Sequence, residues 1–225
     1  MTPVRALALL SGGLDSALAA RLMLDQGLEV VGLHLRSPTA CRSDVAALAR
    51  ELGIPLEIRD KGEEYLRVLR EPRFGYGRNM NPCVDCRVFM FRRGQSYLDD
   101  LDARFLFTGE VVDQRPMSQT RRAMTLIDRE AGLEGRVLRP LSARLLPPTE
   151  PELEGWVDRE RLLDLSGRTR TRQLELARRW GLTGYSAPGG GCLLTDPHFS
   201  ARVRDLFDHT DVDATTMLDL ELLRI

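Results

Sequence analysis

The chain has 225 residues, 43% hydrophobic and 29% charged, an ordinary balance for one large globular domain or a domain with an appendage. A net charge of −1 excludes a globally basic nucleic-acid binder, and the apolar content suffices for a core without disulfide staples. No apolar run reaches the ~18 residues of a membrane span; the apolar N-terminus enters a glycine turn without a small-residue cleavage site, so a cytoplasmic chain with no membrane partner is expected.

Val4–Leu10 is a continuous apolar run ending at Gly12-Gly13, as in a strand buried on both faces. A helix is expected over Asp15–Gln26, with Leu14, Leu18 and Leu22 on one face and Gly27 closing it. Strand Glu29–Leu35, helix Ser43–Leu52, strand Leu56–Arg59 and helix Glu63–Arg70 follow. After the irregular EPRFGYGRNMNP come helix Cys86–Leu98, strand Arg104–Thr108, helix Ser118–Ala131 and strand Arg136–Leu141. Alternating strands and helices predict an α/β fold, a doubly wound parallel sheet spanning residues 1–145. Pro147-Pro148 marks a composition shift into a smaller, mainly helical region, 146–225, with helices over Asp158–Leu165 and Arg170–Gly181, then the loop SAPGGGCLLTDPH. The apolar ending LDLELLRI reads as if more sequence followed.

The hexapeptide SGGLDS, Ser11–Ser16, lies between a buried strand and a helix, where backbone N–H groups and the helix dipole can hold an anion. Gly12 and Gly13 permit a tight turn, Ser11 and Ser16 supply hydroxyls, and Asp15 can hold Mg²⁺. The spacing fits neither a Walker A loop nor a dinucleotide loop. Lys61 is the single lysine among 32 Lys and Arg residues, which leaves no phosphate-binding lysine near the N-terminus and argues against Schiff-base chemistry. Cys83 and Cys86 sit three residues apart after Asn81-Pro82, so their sulfurs can share a helix face. Nearby Arg87, Arg92 and Arg93 favour thiolates. Cys192 follows three glycines that permit close approach to another site; Cys41 reads as a bystander. Cys83, Cys86, Cys192 and His198 could also form a closed zinc site.

SGGLDS resembles the signature of the PP-loop ATP pyrophosphatases, which cleave ATP to AMP and pyrophosphate while adenylating a substrate. NPCVDC ahead of a helix, an apolar strand ending in Thr108-Gly109 and a later cysteine in a glycine-rich loop resemble the tRNA thiouridine synthases. That resemblance implies an ATP-dependent sulfurtransferase acting on a tRNA uridine, with a separate sulfur donor and a homodimer left open. Nucleotide contacts would come from Ser11, Gly12, Gly13, Leu14, Asp15, Ser16, Leu35 and Gly109, and catalytic roles would fall to Cys86, Cys192 and Asp113. Persulfide-using relatives carry Asp where this chain has Cys83. The substitution gives three cysteines, Cys83, Cys86 and Cys192, as in thiolation enzymes that hold a [4Fe–4S] cluster; zinc and metal-free sulfur chemistry remain the alternatives. TGEVVDQ resembles a TGHNxDD element, with Glu110 replacing His and Gln114 the last Asp. Rival readings are a PP-loop enzyme acting on a small molecule and a non-catalytic module with structural zinc. For RNA, Arg168, Arg170, Arg172, Arg178 and Arg179 could form a stripe extended by Arg121, Arg122, Arg139 and Arg144; a solvated face paired with Asp164 and Glu175 is the competing reading.

Overall fold

The computed structural model describes residues 3–40, 43–186, 192–211 and 213–224. Its strands are β1 (Arg5–Leu9), β2 (Glu29–Arg36), β3 (Leu56–Asp60), β4 (Phe105–Thr108) and β5 (Val137–Leu138). They form one sheet in the order β3-β2-β1-β4-β5, parallel at every pairing. The helices are α1 (Leu14–Asp25), α2 (Val45–Leu52), α3 (Glu64–Arg70), α4 (Cys83–Ser96), α5 (Arg121–Ala131), α6 (Glu150–Leu153), α7 (Thr171–Arg179), α8 (Pro197–His209) and α9 (Met217–Leu222). None is long and apolar enough to cross a membrane, among the described residues.

The period-2 alternation of a strand explains the continuous apolar run of β1. Ala6 and Ala8 pack in one cluster with Leu18, Leu48 and Phe107, beneath α1, α2 and α7. Leu7 and Leu9 pack in another with Phe91 and Ile127, beneath α4 and α5. Burying each large apolar side chain contributes about 1.5–3 kcal/mol, so neither face of the strand can turn polar cheaply. A third cluster joins Tyr65 and Leu69 of α3 to Phe199 and Val203 of α8 and Leu220 of α9. The C-terminal region thus shares its apolar contacts with the sheet domain: Leu162, Leu165 and Ala177 belong to the first cluster and Leu194 to the third.

Chain order reverses at β1, whose neighbours are β2 and β4, and such a switch point opens a crevice beyond the carboxyl ends of the strands. Leu9 pairs with both Leu33 and Thr108, so the loops after β1 and β4 leave the sheet level with each other.

Several sequence expectations need correcting. Asp158–Leu165 is no helix: only Arg159–Arg161 makes a 3-10 turn. The Leu163 and Leu165 amides instead donate to Pro140 and Leu141 at 2.9 and 2.8 Å, so tertiary pairing overrides helical periodicity. The loop SAPGGGCLLTDPH gives way to helix at Pro197, where α8 begins under an Asp196 cap, and α9 follows, capped by Thr216. α4 begins at Cys83, not Cys86. β5 is two residues long, shorter than Arg136–Leu141.

Candidate active site

The phosphate loop is a tight backbone turn locked by its own serines. The Ser16 hydroxyl donates to the Gly13 carbonyl at 2.8 Å and lies 3.1 Å from the Ser11 hydroxyl. Gly12 has φ +79°, and a Cβ there would stand 2.9 Å from the Ser43 Cβ, so only glycine fits. Gly13 caps α1 without a side-chain bond, which leaves first-turn N–H groups for an anion. The Ser186 amide closes the turn, donating to the Gly12 carbonyl at 2.8 Å. Leu14 is buried in the first cluster.

Gly109 ends β4 hard against this loop: a Cβ on it would lie 2.4 Å from the Asp15 carbonyl carbon. Beyond it, the structure brings Gln114, not Asp113, to the loop. The Gln114 amide donates to Asp15 Oδ2 at 2.6 Å and accepts from Gln173 of α7 at 3.0 Å. Asp113 is exposed, in a left-handed turn with φ +59°. Glu110, at the position of the resembled histidine, is 1% exposed and lies in a buried ion network. Arg139 reaches it at 3.0 Å and clasps Asp128 at 2.7 and 2.8 Å, while Arg87 stands 3.1 Å from its other oxygen. These carboxylates raise the Arg139 pKa despite the burial that opposes its charge. Arg139, 3% exposed, therefore contributes to no basic surface. Leu35 likewise sits in the second apolar cluster, as core.

Cys86 and Cys192 pack against the third cluster. Pro82 precedes α4, so Cys83 and Cys86 both occupy its first turn. Asp85 folds the preceding irregular stretch onto this turn, accepting from the Arg73 and Phe74 amides at 2.9 and 3.1 Å. Cys86 Sγ accepts from Lys61 Nζ at 3.2 Å and from the Tyr65 hydroxyl at 3.0 Å. The Lys61 ammonium also stands 3.9 Å from the centre of the Tyr65 ring. Burial alone raises the Cys86 pKa, but the Lys61 charge, the two donated bonds and Arg87 outweigh it, and the net shift is downward. Tyr65 moves the other way, upward, through burial and the adjacent sulfurs. Cys192 is pushed up to about 11 by burial and then by the neighbouring Cys86. Its segment is tied to the end of β2, with the Leu193 amide donating to Thr39 at 2.8 Å, and Asn79 holds the turn after it through Thr195. Cys83 donates to the Ser118 hydroxyl at 3.2 Å.

Tyr65 and Ser118 escaped the sequence reading, which named Lys61 and Gln114 without giving them a role in the site. The lone lysine was a signal, but its 5% exposure follows from where α3 and α4 pack. Cys41 lies outside the described residues.

Two absent groups can be tested against these residues. Asp15 Oδ1 is buried without a partner, as a carboxylate kept for a cation would be, so Mg²⁺ fits. Among the described residues, no three His, Cys, Asp or Glu side chains could hold a single metal ion. The zinc set is therefore not assembled, and His198 is exposed on α8. Thiolates around an iron–sulfur cube each bind a different iron and stand wider apart than the ligands of one ion. Three free cysteines, two of them beside the third apolar cluster and one of those beside Lys61, suit an iron–sulfur cluster in donor type.

Arg115 lies in the loop after β4. It keeps solvent contact, yet crowding and the nearby Arg87 lower its pKa; Cys83 opposes that shift, Arg170 adds to it and Asp15 opposes it. The phosphate loop and the thiols share the carboxyl edge of the sheet: Ser11–Ser16 follow β1, Thr39 beside the Cys192 segment follows β2, and Lys61 beside Cys86 follows β3.

Comparison with known proteins places this geometry. The chain is 40% identical over 115 residues to a tRNA-specific 2-thiouridylase of Syntrophotalea carbinolica, covering 44% of this chain and 32% of the relative. It is 34% identical over 136 residues to that of Paramagnetospirillum magneticum, covering 50% and 36%. The chain thus spans about a third of the length of these curated relatives. A 4-thiouridine synthetase, solved with RNA and bound ATP, superposes with a TM-score of 0.53 at 20% identity. That alignment covers 98% of this chain and 52% of the other, and establishes the fold. The profile described as thiamine biosynthesis protein (ThiI) matches residues 1–144, from the phosphate loop through both α4 cysteines, and the chain belongs to that family.

Proposed function

We propose that this chain is the catalytic core of an ATP-dependent tRNA sulfurtransferase. The observation that carries the reading is the placement of the phosphate loop and of Cys86 and Cys192 along one carboxyl edge of the sheet, with the Ser186 amide bonded to Gly12 and the Leu193 amide to Thr39. Support comes from relatives that are tRNA-specific 2-thiouridylases and from the fold shared with a 4-thiouridine synthetase solved with RNA and ATP.

In this reading ATP lies with its phosphates on Ser11–Ser16 and the first turn of α1. The uridine oxygen attacks the α-phosphorus, and the bond to the bridging oxygen of pyrophosphate breaks. Loop N–H groups receive the charge that develops on the leaving group. Asp15, with Oδ1 unpartnered, would hold Mg²⁺, which would supply positive charge for the phosphates. Sulfur then displaces AMP from the activated carbon. Lys61 and Tyr65 keep Cys86 electron-rich, while in the metal-free protein burial and the neighbouring Cys86 favour the thiol form of Cys192. Cys83, Cys86 and Cys192 would hold a [4Fe–4S] cluster, which supplies an iron site for the sulfide to be transferred; without it, Cys86 is the sulfur-bearing residue. The exposed Arg168, Arg178 and Arg179 offer phosphate contacts for tRNA, while Arg172 pairs with Asp164 at 2.9 Å.

The test is mass spectrometry of tRNA nucleosides from a deletion strain, together with iron and acid-labile sulfide assays on anaerobically purified protein. Loss of a thiolated uridine and its return with the wild-type chain are expected. Unchanged thionucleosides would overturn the tRNA reading, and an iron-free protein that still thiolates tRNA would overturn the cluster.

A further inference from the structure

The family match ends at residue 144, yet α7, which begins at Thr171, reaches back to the phosphate loop. Its face explains the return. Ala177 is fully buried in the first cluster and Leu174 packs against it, which seats the helix on α1. Gln173, 2% exposed, donates to Gln114, and Gln114 donates to Asp15. At the residue capping α7, Arg170 extends Nη2 to 3.4 Å from Asp15 Oδ2.

This contact is incomplete on both sides. Arg170 Nε is buried without a hydrogen-bond partner, and so is Asp15 Oδ1. Arg21 and Arg93 also leave Nε unpaired in their ion pairs, but neither faces a carboxylate with a buried, unpartnered oxygen, as Arg170 faces Asp15. A donor and an acceptor both unfilled, at one anion-binding turn, match a ligand carrying both phosphate oxygens and a bound cation. The guanidinium fork takes phosphate oxygens two at a time, which the single contact to Asp15 does not use.

We propose that Arg170 is a catalytic residue of the nucleotide step: it binds the β- and γ-phosphate oxygens of ATP and holds the pyrophosphate as it leaves. As the α-phosphorus to bridging-oxygen bond breaks, the electron pair goes to the pyrophosphate, and Arg170 faces that added charge without giving up a proton. Gln173 and Gln114 position it by fixing α7 to the loop. The inference rests on the ATP reading above and adds a residue from outside the matched segment.

The experiment measures binding of ATP, pyrophosphate and AMP to the full chain by calorimetry with Mg²⁺, alongside pyrophosphate release with tRNA. Arg170→Gln should weaken ATP and pyrophosphate at least tenfold and leave AMP within about twofold; a lost charge-assisted bond of this kind is worth roughly that factor or more. Arg170→Lys, which keeps the charge but loses the fork, should fall between, with native circular dichroism. Arg172→Gln, one turn-edge away and paired with Asp164, should match wild type. Equal weakening of AMP would mean that Arg170 only props the loop, and unchanged ATP and pyrophosphate binding would remove it from the site; either result overturns the proposal. A wild-type chain that binds none of the three would overturn the ATP reading itself, an outcome distinct from any variant-specific result.

Discussion

The phosphate loop and the thiol centre lie along one carboxyl edge of the sheet but are built in opposite ways. The loop is contiguous: six residues fold on their own backbone, with Ser16 bonded to Gly13 and Ser11 beside it. The thiol centre is dispersed, with Lys61, Tyr65, Cys86, Ser118 and Cys192 arriving from separate segments. A contiguous site tolerates drift elsewhere in the chain, whereas a dispersed one depends on every element packed around it. Perturbations should therefore separate the two, except where a buried network serves both.

The largest effect is expected at that shared network. Arg139→Met leaves Glu110 and Asp128 buried without their main counter-charge, and should cost about 3–5 kcal/mol. Chemical denaturation would read it, and nucleotide binding and thiol reactivity should decline together. Loss of one function alone would show that the network does not couple them. Next comes Gly109→Ala, whose Cβ would strike the Asp15 backbone. It should cost about 1–3 kcal/mol and cripple ATP binding, while leaving Cys86 alkylation at the wild-type rate. Alkylation that fell in step would break the contrast between the two regions.

The smallest effect is confined to the thiols. Alkylation needs thiolate, which forms as pH rises through the pKa. In metal-free protein, Cys86 should react at lower pH than an ordinary cysteine, and Cys192, at about 11, should lag. Lys61→Met should move the Cys86 profile to higher pH and slow it about tenfold at neutral pH, with ATP affinity unchanged. A profile that stayed in place would mean that Lys61 does not activate Cys86.

The same contrast governs what could be read from the sequence. SGGLDS was legible because a turn and a helix start are encoded by neighbours, and the alternation of strands and helices gave the parallel sheet for the same reason. Lys61 was illegible: one charged residue after a strand reads as surface, and its burial against Cys86 depends on contacts 25 positions on. The swap of Asp113 for Gln114 turned on one residue of register in an irregular loop, which no periodicity reports. α8 carried a readable start, Asp196 before Pro197, masked by the glycine-rich run just ahead of it. The failed helix at 158–165 had the right pattern but lost to pairing with the segment after β5.

One feature of the described ends of the 186–192 stretch sets a mechanical limit. Ser186 is pinned to the phosphate loop through Gly12, and the residue after Cys192 is pinned to Thr39. From 186 to 192 there are six links, which reach at most roughly 20 Å whatever path they take. The Cys192 backbone therefore lies within that distance of Ser186 at the Gly12 turn, a ceiling set by residue count alone that no substitution within the stretch can change.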